Sequence, residues 1–144
     1  NRRTPRNEPM YGPPGLSYVY FTYGMHFCMN VSCKAQDHPA AVLIRALEPI
    51  DALDAMRALR GPAHKDHDLC RGPARLCQAL AIGPEQNALD TLTSKTLWFE
   101  KGKLRAGEKV VTTPRIGLGD KGDWTHRHLR FVIAGSMFAS GTRV

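Results

Sequence analysis

From Leu16 to Ser32 the chain is dense in aromatic and β-branched residues, interrupted at Tyr23-Gly24-Met25. Such composition around a glycine turn predicts a β-hairpin over residues 16–32. A second apolar run, Ala41 to Leu47, has the length of a buried strand. The period then changes. Ile50, Leu53, Met56 and Leu59 recur at near-helical spacing and predict a helix over residues 50–60 with one buried stripe. Pro49 stands where a first helical residue would, Asp51 and Asp54 suit the positive N-terminus, Arg57 and Arg60 suit the C-terminus, and Gly61 stops the helix. Residues 61–69 are polar and read as a loop. A second helix is predicted from Pro73 to Ile82, opened by Gly72-Pro73 and closed by Gly83-Pro84. Short strands are expected around Thr96–Glu100, Lys109–Thr113 and Leu129–Ala134, between Gly-rich turns. Short antiparallel strands with two helices define an α+β class. At 144 residues the chain is a single domain with enough length to bury a core.

Charge narrows the function. Twenty Lys and Arg against 13 Asp and Glu leave a net charge of +7, which favours an anionic partner, nucleic acid before membrane. No apolar run reaches membrane-spanning length and no signal-peptide pattern is present. Cys28, Cys33, Cys70 and Cys77 sit in apolar segments at spacings unlike the common zinc sites, so they read as reduced, buried thiols in a cytosolic or nuclear compartment. The first residues, Asn-Arg-Arg-Thr-Pro-Arg-Asn, read like the middle of a basic loop, as in a fragment of a longer chain.

The candidate chemistry starts at the hairpin. Tyr18, Phe21 and Phe27 read as core or half-buried sheet. Tyr23 beside Gly24 reads as exposed, and an exposed Tyr-Gly-Met tip on a basic protein has the shape of a wedge between nucleic-acid bases. Tyr20 and Asn30 depend on register. A two-residue turn pairs Thr22 with Met25 and sends them to opposite faces, whereas one extra loop residue or a bulge brings them to the same face. At the second helix, the free N-terminus at Gly72 to Arg75, with Arg75 a cation where an acid is usual and Arg71 just outside, is suited to a phosphate; two solvated arginines are the alternative. Arg45 follows Val42-Leu43-Ile44 and is either a strand end reaching solvent or buried with a partner. The turn Pro114 to Gly119 lacks the ending of a phosphate loop. His126 and His128 read as surface residues, and no acid–base pair or nucleophile triad is recognisable.

These residues resemble a known family. Thr4-Pro5-Arg6-Asn7, Tyr18-Val19-Tyr20 through Tyr23-Gly24-Met25-His26-Phe27-Cys28-Met29-Asn30, and Val42 to Pro49 are followed by Leu69-Cys70-Arg71-Gly72-Pro73-Ala74-Arg75-Leu76, Pro114-Arg115-Ile116-Gly117 and Leu129-Arg130-Phe131. In this order they are similar to the alkyladenine (3-methyladenine) DNA glycosylases, also called methylpurine glycosylases. The resemblance implies a curved, mainly antiparallel sheet with a protruding hairpin and short helices. It also implies a base-excision repair enzyme that flips alkylated or deaminated purines from duplex DNA. The expected partner is damaged duplex DNA, bound by a monomer without cofactor, metal or membrane, in the nucleus or the bacterial cytoplasm and nucleoid.

Residue by residue, the resemblance makes Tyr23 the filler of the gap left by the flipped nucleotide, with Met25 beside it. Tyr20 stacks on the extruded base, and Asn30 discriminates against an exocyclic amino group. Arg45 helps hold the attacking water, which the Ile116 backbone borders. Thr4, Arg6, Gly72 and Arg75 lie at the DNA backbone, Arg75 standing where the family often has Lys. One departure is large. The family's water-activating glutamate belongs to a Glu-Thr-Glu-Ala-Tyr-like segment upstream of Thr4, with a pocket tyrosine and a histidine, and none of the 13 carboxylates aligns with it. The N-terminal part of the family fold is therefore expected to be absent and the chain alone inactive. The alternatives are a catalytically dead DNA-binding remnant and a basic RNA-binding protein that stacks bases on the hairpin.

Overall fold

The aromatic run does form a hairpin. In a computed structural model that describes residues 2–141, β1 (Ser17–Thr22) and β2 (His26–Ser32) pair antiparallel, and β3 (Ala41–Leu43) joins the other side of β2. Thr22 pairs with His26, Tyr20 with Cys28 and Tyr18 with Asn30. The loop thus holds three residues, Met25 being the extra one. The register left open by the sequence is settled: Tyr18, Tyr20, Cys28 and Asn30 share one face. Val19 and Met29 point to the other, where they form the core with Met56, Leu69, Leu76, Cys77 and Ile82. Phe27 is half-buried against this cluster, but Phe21 is exposed and belongs to the surface.

The helices are shorter than their patterns. α1 spans Leu53–Arg60, starting three residues late. The Asp51 carboxylate accepts the Ala52 N–H at 2.7 Å, and Ala52 adopts φ +55°, so the chain turns left-handed before the helix begins. Ile50 is consequently 82% exposed, and Leu59 is exposed as well, which narrows the predicted stripe to Met56 with partly buried Leu53. Within the expected loop 61–69, Asp66–Leu69 form one helical turn, α2. Only Leu69 of its four residues is apolar, so no period announced it, yet Leu69 is fully buried. α3 spans Pro73–Ala79 and ends before the expected Ile82 because Ala81 is left-handed at φ +51°.

Residues 96–100 form no strand. The Ser94 hydroxyl takes the Thr96 and Leu97 N–H groups, and Phe99 N–H bonds to Thr91 O at 2.9 Å, so the segment is held as a turn rather than a ladder. β4 (Val110–Thr113) and β5 (Arg130–Ile133) pair antiparallel as a second, two-stranded sheet, with the single turn α4 (Asp123–His126) between them. The α+β class with antiparallel strands holds. The four cysteines are free; Cys28, Cys70 and Cys77 are buried, while Cys33 is exposed, contrary to expectation.

Candidate nucleic-acid interface

The hairpin tip is built by backbone strain. Met25 N–H bonds to Thr22 O at 3.2 Å, closing a turn whose central residues Tyr23 and Gly24 have φ +51° and +66°. Positive φ at both positions is what a type I′ turn requires, and it suits the twist of the two strands. Gly24 accepts this freely. Tyr23 does not, and the residue is 89% exposed, so the fold recovers little from it. Met25, also exposed, borders a cavity of about 290 Å³ whose far wall is Ala74, Cys77 and Gln78 of α3. The tip therefore leans on the helix whose first turn carries Arg75.

Behind the tip, the ring of Tyr20 lies 5.2 Å from that of Tyr18, and the Arg6 guanidinium stands 5.2 Å over the Tyr20 ring. Arg6 also donates to Phe21 O at 2.6 Å, along the outer edge of β1. An open groove of about 410 Å³ follows this edge, lined by Pro5, Arg6, Tyr20, Phe21, Phe27 and Asn87. Burial raises the Tyr20 phenol above its usual range, with the adjacent Cys28 thiol adding to the effect, so the ring stays neutral. Asn30 is buried, and its side-chain N–H donates to Tyr18 O at 3.1 Å, which fixes the amide plane.

Arg45 follows β3 and is half-buried. Burial and then the nearby charge of Arg130 push its guanidinium below its ordinary value. Its Nη1 faces the Ile116 carbonyl at 3.5 Å, and its Nε faces the Ser140 hydroxyl at 3.5 Å. The expected pair, Arg45 and the Ile116 backbone, is thus brought together, with no carboxylate paired to Arg45 among the described residues. No group of His, Cys, Asp and Glu there is arranged to hold a metal ion.

The backbone-binding candidates divide. Thr4 closes a local turn: its N–H and hydroxyl both donate to Asn7 Oδ1, at 2.7 and 3.0 Å. Arg6 is committed to Tyr20 and Phe21. At α3, Gly72 has φ +139° and precedes Pro73. Arg75 lies 3.7 Å from Asp68, which is also 3.7 Å from Arg71. One carboxylate between two arginines leaves a surplus cation at that end. Sequence reasoning missed Asn87 and Arg130, and it expected Arg71 beside a phosphate rather than bonded to the chain. Asn87 accepts the Val19 N–H at 2.9 Å and seals the edge of β1. Arg71 donates to Ala139 O at 2.9 Å, and Arg130 to Ser140 O at 2.8 Å. Of the two missed, only Arg130 carried a signal, a cation within a strand-like run.

The structure thus brings together an exposed hairpin tip, an aromatic and amide face behind it, and an arginine against a carbonyl, on a basic scaffold. Residues 1–137 match the methylpurine-DNA glycosylase (MPG) family, and the chain belongs to that family. It is 44% identical to the DNA-3-methyladenine glycosylase of Homo sapiens, over 96% of this chain and 49% of that protein. Two bacterial relatives, each described as a putative 3-methyladenine DNA glycosylase, are also similar. The protein of Burkholderia lata is 57% identical over 96% of this chain and 66% of its own length. That of Carboxydothermus hydrogenoformans is 47% identical over 87% and 65%. The chain spans about half the length of its mammalian relatives.

Proposed function

We propose that this chain is the base-recognition part of a monofunctional glycosylase that extrudes damaged purines from duplex DNA and cleaves the N-glycosidic bond with an activated water. The observation that carries the reading is the three-residue hairpin loop. It puts Tyr20 and Asn30 on one face directly behind an exposed Tyr23. Tyr23, with Met25 beside it, fills the gap in the stack. Tyr20 stacks on the extruded purine, and the Asn30 amide, fixed by Tyr18 O, reads its edge. Gly72, Arg75, Thr4 and Arg6 border the phosphates. The protein acts as a monomer.

Hydrolysis needs a base. Arg45 and the Ile116 carbonyl orient a water, but arginine stays protonated at working pH and a peptide carbonyl is too weak to take a proton. The resemblance to methylpurine glycosylases implies that the proton goes to a glutamate of a Glu-Thr-Glu-Ala-Tyr-like segment, with which none of the 13 carboxylates here aligns, and we assign the role to that glutamate. General-base assistance is worth about 10²–10⁴-fold, or roughly 3–5 kcal/mol. The test is single-turnover release of hypoxanthine or 3-methyladenine from duplex DNA. The chain alone is expected to bind an abasic-analogue duplex and release no base above background. The same chain extended upstream with the glutamate-bearing segment is expected to release it. Release by the isolated chain that disappears in Arg45→Ala would refute the assignment of the base.

A further inference from the structure

Far from the hairpin tip lies a second basic and aromatic surface. Residues 94–109 contain Lys95, Lys101, Lys103, Arg105 and Lys109 against Glu100 and Glu108, so this segment holds a net +3 of the chain's +7. All five cations are exposed. Arg105 is occupied by Glu48 at 2.9 Å and Glu108 at 3.8 Å. The four lysines form no ion pair among the described residues. Glu100 is engaged by the Trp98 indole N–H at 2.7 Å, which sets the indole beside the lysine run. Trp98 is 53% exposed, its chain neighbour Phe99 is exposed, and so is Leu104 further along the segment. Solvated lysines alone need no partner. Two adjacent exposed aromatics among unpaired lysines match the requirements of a nucleic-acid strand, phosphates for the cations and flat faces for sugars and bases.

Its position sets the kind of contact. Phe99 N–H bonds to Thr91 O, and the Thr91 hydroxyl bonds to Gly15 O at 2.7 Å, so Trp98 and Phe99 are pinned at the foot of the hairpin. Six residues of β1 separate that foot from the tip loop, about 20 Å at strand rise. A ribbon that enters a duplex tip first carries its foot outward by this length, beyond a groove only about 8 Å deep.

We propose that Trp98, Phe99, Lys101 and Lys103 form a second DNA-binding surface that holds a separate duplex segment through its phosphates, independently of any lesion. This rests on the reading that the tip enters damaged DNA. A protein with two such surfaces touches a new segment before leaving the old one, which allows transfer between segments during search.

The test compares the unaltered chain, Lys101→Ser/Lys103→Ser, Trp98→Ala and Tyr23→Ala. An abasic-analogue duplex is immobilised, the chain is bound, and capture of a second, labelled undamaged duplex is read across salt concentrations. The unaltered chain is expected to capture the second duplex. The double lysine variant is expected to lose that capture, and its salt slope on undamaged duplex should fall by about two. Its preference for the abasic-analogue duplex over undamaged duplex should persist. Trp98→Ala is expected to weaken capture without changing the slope. Unchanged capture and slope in the double variant, with the lesion preference intact, would overturn the second surface alone. Binding of a poly-glutamate peptide that the double variant loses, with duplex capture unaffected, would assign the surface to an acidic protein and overturn the proposal too. Failure of the unaltered chain to prefer the abasic analogue, with Tyr23→Ala behaving identically, would instead overturn the tip reading on which it rests.

Discussion

Replacing Tyr23 separates what the tip costs the fold from what it does for binding. A side-chain-bearing residue at φ +51° sits in the left-handed region, at a cost of about 1–2 kcal/mol. With the residue 89% exposed, burial returns almost nothing. Tyr23→Ala keeps the Cβ and hence the strain, so unfolding free energy should change by less than about 0.5 kcal/mol. Tyr23→Gly removes the strain but adds about 0.5–1 kcal/mol of chain entropy to be lost on folding. Its net effect should lie between zero and a gain of about 1.5 kcal/mol. Binding should behave differently. A stacked base is worth about 1–3 kcal/mol, so both variants should bind an abasic-analogue duplex about 5- to 150-fold more weakly. Their affinity for undamaged duplex should change far less. Urea unfolding gives the first quantity and fluorescence anisotropy on the two duplexes gives the second. Equal losses on both duplexes, or a loss of stability above 1 kcal/mol in Tyr23→Ala, would refute the argument that this residue is held strained for insertion.

Arg75→Ala should weaken binding to all duplexes alike and lower the salt slope by about one, because Asp68 is shared between Arg75 and Arg71 and leaves one cation in surplus; anisotropy titrations at several salt concentrations check it. Burial pushes the Cys77 thiol up to about 12, so the unfolded chain gives up this proton at lower pH than the folded one. Stability should accordingly be fully present below about pH 9 and fall with pH between about 9 and 12. Denaturant midpoints should fall less steeply over that range in Cys77→Ala, the other buried thiols and the Tyr20 phenol keeping the rest of the slope.

The parts legible in the sequence were those governed by local rules. Aromatic and β-branched enrichment around Gly24 revealed the hairpin, and Gly72-Pro73 fixed the start of α3 to the residue. Register was beyond those rules. Local pattern does not say whether Met25 joins the loop or the ladder, and one residue of slip inverts the faces of Tyr20 and Asn30. Helix ends failed for a related reason: Ala52 and Ala81 take positive φ, a choice alanine does not signal. The segment 96–100 shows the limit of composition. Thr96, Leu97, Trp98 and Phe99 favour a strand, but the Ser94 hydroxyl captures two of its N–H groups first. At the site, Tyr23 was readable from its neighbour Gly24, whereas no local pattern gave the surroundings of Arg45, Ile116 being expected only through the resemblance and Ser140 not at all. They come from residues 71 and 95 positions away along the chain.

Those surroundings bear on how Arg45 is to be tested. The two sheets share no ladder, since β1, β2 and β3 form one and β4 and β5 the other. Three arginines meet between them. Arg71, just before α3, donates to Ala139 O; Arg130, on β5, donates to Ser140 O; Arg45, after β3, faces the Ser140 hydroxyl. The Ile116 side chain fills the space where a Cβ at Gly141 would stand. Residues 139–141 thus set the position of Ile116 as well as Arg45. Removing Arg45 therefore withdraws a cation from the proposed water site and loosens the segment that places the facing carbonyl. Ser140→Ala keeps every charge and deletes only the hydroxyl, about 3.5 Å from Arg45 Nε. If Arg45 acts by its charge alone, Ser140→Ala in the extended, hydrolytic chain leaves single-turnover release near that of the parent. If placement matters, release falls while affinity for the abasic-analogue duplex stays the same, a split that loss of the whole Arg45 side chain does not resolve.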